Sequence, residues 1–240
     1  MIMENEIKSK FFEFIPLNIK KNIEVSIFKG WNQSIIIKFN LKKNEFINNS
    51  FIKECFPHIA NKEKIFLFAS GRVELKKEKK KILLEKFDAF NSFSDEINYE
   101  INCLADSEFF LISCENFKEK DEHSVYFNFK KNIKSIDIWG GQCISRPYEG
   151  KDLNLVLFDL KPGFKFSDKG HFNEQITWLI DGSMDFYSDK IKSKLTDKIG
   201  VDIGPNHSHG GVSNGAVGFD AFFPKRAETN YKQDTKTFKF

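Results

Sequence analysis

Two segments of the chain, 111 residues apart, carry the same pattern. Residues 65–75 read IFLFASGRVEL and residues 176–186 read ITWLIDGSMDF. Each has an apolar run, a glycine at the same place (Gly71, Gly182) and a second, alternating run. A lysine-rich stretch follows each copy, KKEKKKILLEKFDAF in one and SDKIKSKLTDKIGVDI in the other. A glycine between two β-branched and aromatic runs marks a hairpin. The offset is close to half of the 240-residue chain, as duplication of an all-β unit requires. Chance similarity between two hairpins is the competing explanation. Under duplication the units span about 1–130 and 131–240, both of ordinary domain size.

The rest of the chain agrees with an all-β fold. Strand-like runs recur at 34–40 (SIIIKFN), 64–69, 72–75, 81–86, 108–113, 125–129, 153–160, 175–180, 183–187, 191–194 and 217–223. Turn signals separate them at strand-length spacing and helical periodicity is weak, which predicts a sandwich or barrel. The 28 phenylalanines serve as core filler. The lysine run 76–81 falls between two strand patterns and is expected to tip a hairpin in water. With a net charge of only +3 and no gathered basic face, a nucleic-acid partner is not expected. No apolar run approaches the ~20 residues of a membrane span, and residues 1–17 lack a signal-peptide core. A soluble, cytoplasmic protein is expected, with no membrane partner. Cys55, Cys103, Cys114 and Cys143 show no C-x-x-C spacing and are read as buried, reduced thiols.

Potential chemistry concentrates in the second half. His171 and Gln175 stand four apart at the entry to a strand, and even spacings keep extended side chains on one face. His209 arrives from another strand after a proline-containing turn. Two imidazoles and an amide oxygen converging inside a barrel suit one divalent transition metal (Fe, Mn, Ni, Co or Zn) and leave positions open for a small-molecule substrate. The G-x-S-x-G nucleophile elbow, phosphate loops and dinucleotide turns are absent, and HSHGG is not a zinc-finger spacing.

The stretch 162–182, PGFKFSDKGHFNEQITWLIDG, reads P-G-x5-K-x-H-x3-Q-x6-G, and GPNHSHGG follows at 204–211. Together they resemble the two signature motifs of the cupin superfamily. Glu174–Gln175–Ile176 and the closing FDAFFPKR resemble the branch that includes the bacilysin-biosynthesis bicupin isomerase and the pectin-degradation uronate cupins. The resemblance covers the second half well and the first half through its hairpin core. It implies tandem double-stranded β-helix (jelly-roll) barrels, a bicupin, with His171, Gln175 and His209 as metal ligands. It further implies isomerase, ring-opening or lyase chemistry on a sugar derivative or organic acid, and a homodimer is plausible. An Fe-dependent dioxygenase or a non-catalytic ligand-binding bicupin are the alternatives.

One departure matters: Lys169 stands where the motif has its first histidine. A protonated lysine is no ligand and repels a dication, so Lys169 is the candidate general base or carboxylate anchor. His207 is a second candidate proton carrier, although the motif has a turn residue there. Glu174, adjacent to Gln175, should face the opposite way, at the surface or behind the ligands. Gly210, Gly211 and Asn214 are read as turn residues, and Arg146 as a possible carboxylate clamp. Trp178, Phe158, Phe166, Met184, Phe186, Phe219 and Phe222 are candidates for the barrel wall. The repeat sets His58, Ala60 and Lys64 against Lys169, His171 and Gln175, so the first half is expected to be structural. His123 is expected to be exposed, and Trp31 and Trp139 to pack in the core or between domains.

Overall fold

The computed structural model describes residues 8–20, 23–92, 98–114, 124–138, 140–226 and 238–239. His123 and Trp139 lie outside the described residues.

The chain is almost entirely β-structure. One eight-stranded sheet runs in the order Ile15–Lys20, Ile23–Lys29, Ser34–Leu41, Ser107–Cys114, Lys64–Ser70, Asp88–Ser92, Val125–Asn128 and Phe238–Lys239. A four-stranded sheet, Phe46–Asn48, Glu100–Cys103, Arg72–Lys77 and Lys80–Glu85, covers its inner face. The second half forms a nine-stranded sheet around the 15-residue strands Glu174–Ser188 and His209–Phe223. Beside them lie Gly200–Ile203, Asn154–Leu160, Cys143–Glu149 and Ile136–Ile138, with Lys165–Asp168 and Ile191–Leu195 as short flanking strands. The first strand, Lys10–Phe12, pairs with Gly200–Ile203, and the last, Phe238–Lys239, pairs with Val125–Asn128. Each end of the chain thus adds a strand to the sheet of the other half.

The central strands are buried on both faces, which is why they read as unbroken apolar runs. In 64–70, Phe66 and Phe68 enter the first-half core while Ile65, Leu67 and Ala69 turn to a second core between the halves. The second half mirrors this: Ile176, Trp178, Phe219, Ala221 and Phe223 enter the shared core. Phe110 and Phe219, at matching places in their sheets, meet edge-to-face at 5.2 Å. Trp178 and Phe219 therefore pack between the halves and not on the barrel wall.

The halves also hold each other by their turns. Glu174 is fully buried and accepts the backbone N–H of Trp31 (2.6 Å) and Asn32 (3.0 Å) and the hydroxyl of Ser34 (2.9 Å). Glu63, 111 residues earlier, accepts the N–H of Lys151 (3.1 Å) and Asp152 (2.8 Å) and the amide of Asn91 (2.7 Å). Each carboxylate anchors a hairpin of the other half, with a glycine (Gly30, Gly150) close against its oxygens. The opposite-face parity read for Glu174 is correct, but its surroundings are this interdomain anchor and not the surface. Trp31 is 39 % exposed, with Lys10 Nζ 4.2 Å from its ring.

Gly71 and Gly182 both take positive φ, 85° and 79°. Gly71 turns one strand into the next, whereas Gly182 sits at an irregularity within Glu174–Ser188, so the two expected strands 175–180 and 183–187 are one bent strand. Gly210 and Gly211 are strand residues rather than turn residues, and backbone oxygens of Phe166 and Asp185 crowd where their Cβ atoms would stand. The lysine run 76–81 forms a hairpin tip, with Glu78 in the left-handed region. Two short helices were not expected: Asn49–Cys55, capped by Asn48, and Phe129–Asn132, capped by Asn128. No helix among the described residues is long and apolar enough to cross a membrane.

Candidate metal centre

The second barrel encloses a cavity of ≈ 220 Å³. Val156, Phe158, Phe164, Phe166, Met184 and Phe186 supply much of its apolar wall, and Asp168, Gln175, Thr177, His209, Asp220 and Arg226 supply polar groups. A small apolar cavity with few convergent polar groups is the usual form of a ligand site.

Strand alternation places the polar groups. Along Glu174–Ser188, Gln175 and Thr177 face the cavity while Ile176 and Trp178 face the other half. Along His209–Phe223, Asp220 and Phe222 face the cavity while Phe219 and Ala221 face away. His171 sits in the loop before the strand, His209 begins the facing strand, and both are buried. His171 Nε2 lies 2.9 Å from Gln175 Oε1, and the two imidazoles stand 5.5 Å apart, edge to face. The structure thus brings His171, Gln175 and His209 together.

Asp168 joins them. Among the described residues, Asp168, His171 and His209 form a group of three metal-binding side chains, with ligand atoms within 4.8 Å of one another. Asp168 ends the Lys165–Asp168 strand, opposite His209, with Arg226 Nη2 at 3.9 Å. Lys169, the next residue, is exposed and does not line the cavity. The role of base or carboxylate anchor expected for Lys169 does not fit that position, because its side chain lies in the solvent past the end of the strand and away from the cavity lining. Alternation along KFSDK does not single out Asp168, since Phe166, Ser167 and Asp168 all line the cavity, while Lys165 and Lys169 are exposed and do not.

His207 is also off the wall. It is partly exposed and bound through Nδ1 to Asp189 in the neighbouring turn, so the proton-carrier role expected for it has no access to the cavity. Its carbonyl oxygen lies 3.1 Å from His209 Nδ1, which makes Nδ1 the protonated nitrogen and leaves Nε2 as the donor. Arg146 bonds Asp159 at 2.8 Å and is no clamp for a cavity ligand. His58, in a 3-10 turn of the first half, stands against Phe56.

The electrostatics favour neutral imidazoles. Burial lowers the pKa of both His171 and His209 below the ordinary histidine value. Burial pushes Asp220 up to about 6, against the bonds it accepts from Thr177 and Gln175. It pushes the Cys143 thiol up to about 11, so that side chain is a neutral wall group. A divalent transition metal takes unprotonated imidazole nitrogens, and carboxylate or amide oxygens complete its set, the more so for a harder ion such as Mn(II). Two such imidazoles, the Asp168 carboxylate and the Gln175 carbonyl oxygen supply that set, so the residues present fit the ion.

No family model matches the chain, and no curated protein matches it in sequence. Solved structures do. AerE from Microcystis aeruginosa superposes with a TM-score of 0.70 at 13 % identity, over 89 % of this chain and 98 % of that one. A cupin 2 conserved barrel domain protein from Leptotrichia buccalis gives 0.59 at 14 %, over 88 % and 96 %. Oxalate decarboxylase from Bacillus subtilis, described with Mn(II) centres, gives 0.67 at 10 %, over 92 % and 78 %. At such identities the likeness speaks for architecture, and with the motifs and the paired barrels the conclusion is that this chain has the cupin fold.

Proposed function

We propose that the protein is a metal-dependent cupin enzyme acting on a small polar metabolite, an organic acid or sugar derivative, through isomerase, ring-opening or lyase chemistry. The observation that carries this reading is the meeting of Asp168, His171 and His209 within 4.8 Å, with Gln175 Oε1 2.9 Å from His171, beside a cavity that Asp168, Gln175 and His209 line. Asp168, His171, Gln175 and His209 would hold one divalent ion. When bound, such an ion supplies Lewis acidity toward a carbonyl or carboxylate oxygen. The chain's own part is to hold the imidazoles neutral, to exclude water with an aromatic wall, and to present one guanidinium, Arg226, to an anionic group at the cavity. The 220 Å³ volume admits a molecule of only about ten to fifteen heavy atoms.

The test is metal content of untagged protein beside His171→Ala, His209→Ala and Asp168→Ala. The reading expects about one ion per chain, lost in both histidine variants and weakened in the aspartate variant. Metal that is absent and cannot be restored by soaking overturns it. Oxygen consumption by Fe(II)-loaded protein with a turned-over substrate would replace isomerase or lyase chemistry by oxygenation.

A further inference from the structure

A glutamine offers a metal only one of its two ends. The carbonyl oxygen is a donor, the NH2 group is not, and the side chain fits either way round. If Gln175 is to face His171 and His209 with oxygen, something must hold the amide. We propose that Asp220 is the positioning residue that does so, with Thr177 as its relay; this rests on the reading of the cavity as a metal site.

The geometry is a closed set of donors and acceptors. The Thr177 hydroxyl donates to Asp220 Oδ1 at 2.6 Å, which uses its only proton. Thr177 Oγ1 and Asp220 Oδ1 are then both acceptors toward Gln175, at 3.0 Å and 3.1 Å from Nε2. Turning the amide over would set its oxygen against two acceptors and leave its NH2 donors unmet toward them, which a buried wall disfavours. Oε1 is therefore left at 2.9 Å from His171 Nε2. The first half lacks the arrangement. Matched through sheet register, Gln175, Thr177 and Asp220 correspond to Lys64, Phe66 and Leu111, which belong to a packed interior. The network exists only in the half that carries the paired imidazoles.

Removing the acceptor and removing the charge can be separated. Asp220→Asn keeps a carbonyl oxygen at the Oδ1 position and loses the charge, while Asp220→Ala loses both. Affinity for Mn(II) and Zn(II) should fall about 10- to 100-fold in Asp220→Ala, and by no more than about threefold in Asp220→Asn, less than 1 kcal/mol. Equal losses in the two variants would mean that Asp220 acts by charge alone, and the proposal fails. A second readout needs no metal. In histidine-labelled metal-free protein, 15N shifts should report His171 protonated on Nε2 in the parent and in Asp220→Asn, and a shift toward Nδ1 protonation in Asp220→Ala. An unchanged tautomer in Asp220→Ala overturns the proposal. A parent that takes no metal but shows the tautomer shift sinks the metal reading and leaves the positioning role standing. Urea midpoints check folding, and if Asp220→Ala does not fold, Thr177→Val should move both readouts the same way by a smaller amount; no movement there also overturns the proposal.

Discussion

The two halves share a plan and differ in what fills it. In both, a buried glutamate precedes the hairpin repeat and grips a turn of the other half: Glu63 on Lys151 and Asp152, Glu174 on Trp31, Asn32 and Ser34. In the first half the barrel interior is closed by Phe39, Phe66, Phe68, Phe109 and Leu111. The Lys64 ammonium is bound to the carbonyl oxygens of Lys62 (2.9 Å) and Ile59 (3.3 Å). In the second half the places of Lys64, Phe66 and Leu111 hold Gln175, Thr177 and Asp220 around a cavity. Scaffold contacts are thus kept in both copies, while convergent donors are kept in one.

The comparison can be broken in four ways. The largest effect is expected from the glutamates. Glu174→Ala and Glu63→Ala each strip a buried acceptor from several N–H and O–H groups and should each cost about 3 kcal/mol, read as urea midpoints. A large loss in one variant and none in the other would show that the halves do not hold each other alike.

Next comes metal retention across the halves. Metal affinity should be unchanged in His58→Ala and fall by orders of magnitude in His209→Ala, measured by competition with a chromogenic chelator. A loss in His58→Ala would give the first half a site.

The third concerns pH. Asp202 faces Glu174 as Asn91 faces Glu63, the two at matching register. Burial, with the Glu174 carboxylate beside it, pushes Asp202 up to about 9. Burial and Glu174 outweigh Lys10, whose Nζ lies 3.6 Å away, so Asp202 holds its proton more tightly than a free carboxyl does, at the place where the first half has an amide. Its folded pKa lies above the unfolded value, so the stability it contributes is complete below about pH 4 and is lost as pH rises through about 9. Burial raises Glu63 as well, with the same sign. Urea midpoints should fall from pH 5 toward pH 9.5, and Asp202→Asn, which makes the second half resemble the first, should flatten most of that fall. An unaltered slope in Asp202→Asn would contradict the assignment.

The smallest effect belongs to Lys169. Exposed and off the cavity, Lys169→Met should change stability by under about 0.5 kcal/mol and leave metal affinity in place. A large loss of metal or of activity there would return Lys169 to the site.

Much of this was legible in the residues. The repeat at 65–75 and 176–186 and the unbroken apolar runs fixed a β-architecture, because strands buried on both faces need such sequences. Parity and motif single out His171, Gln175 and His209, and the fold brings these three side chains together. Asp168 lies outside the motif spacing, whose first-histidine position falls on Lys169, and only the pairing of its strand with His209–Phe223 brings it to the imidazoles. Asp220 is the lone charge in VGFDAFF and was visible as an oddity, but its partners lie across a strand pair that only the register reveals. The interdomain places of Trp178, Phe219 and Glu174 were hidden for a related reason. Alternation gives two faces without saying which one meets another sheet.

The most direct test of the central claim is an anomalous-difference map from crystals of the protein, collected at the absorption edge of the ion it carries or takes up. The account predicts one strong peak per chain in the second barrel, about 2.0–2.3 Å from nitrogens of His171 and His209 and oxygens of Asp168 and Gln175. A peak beside His58, or none in metal-soaked crystals, would contradict it.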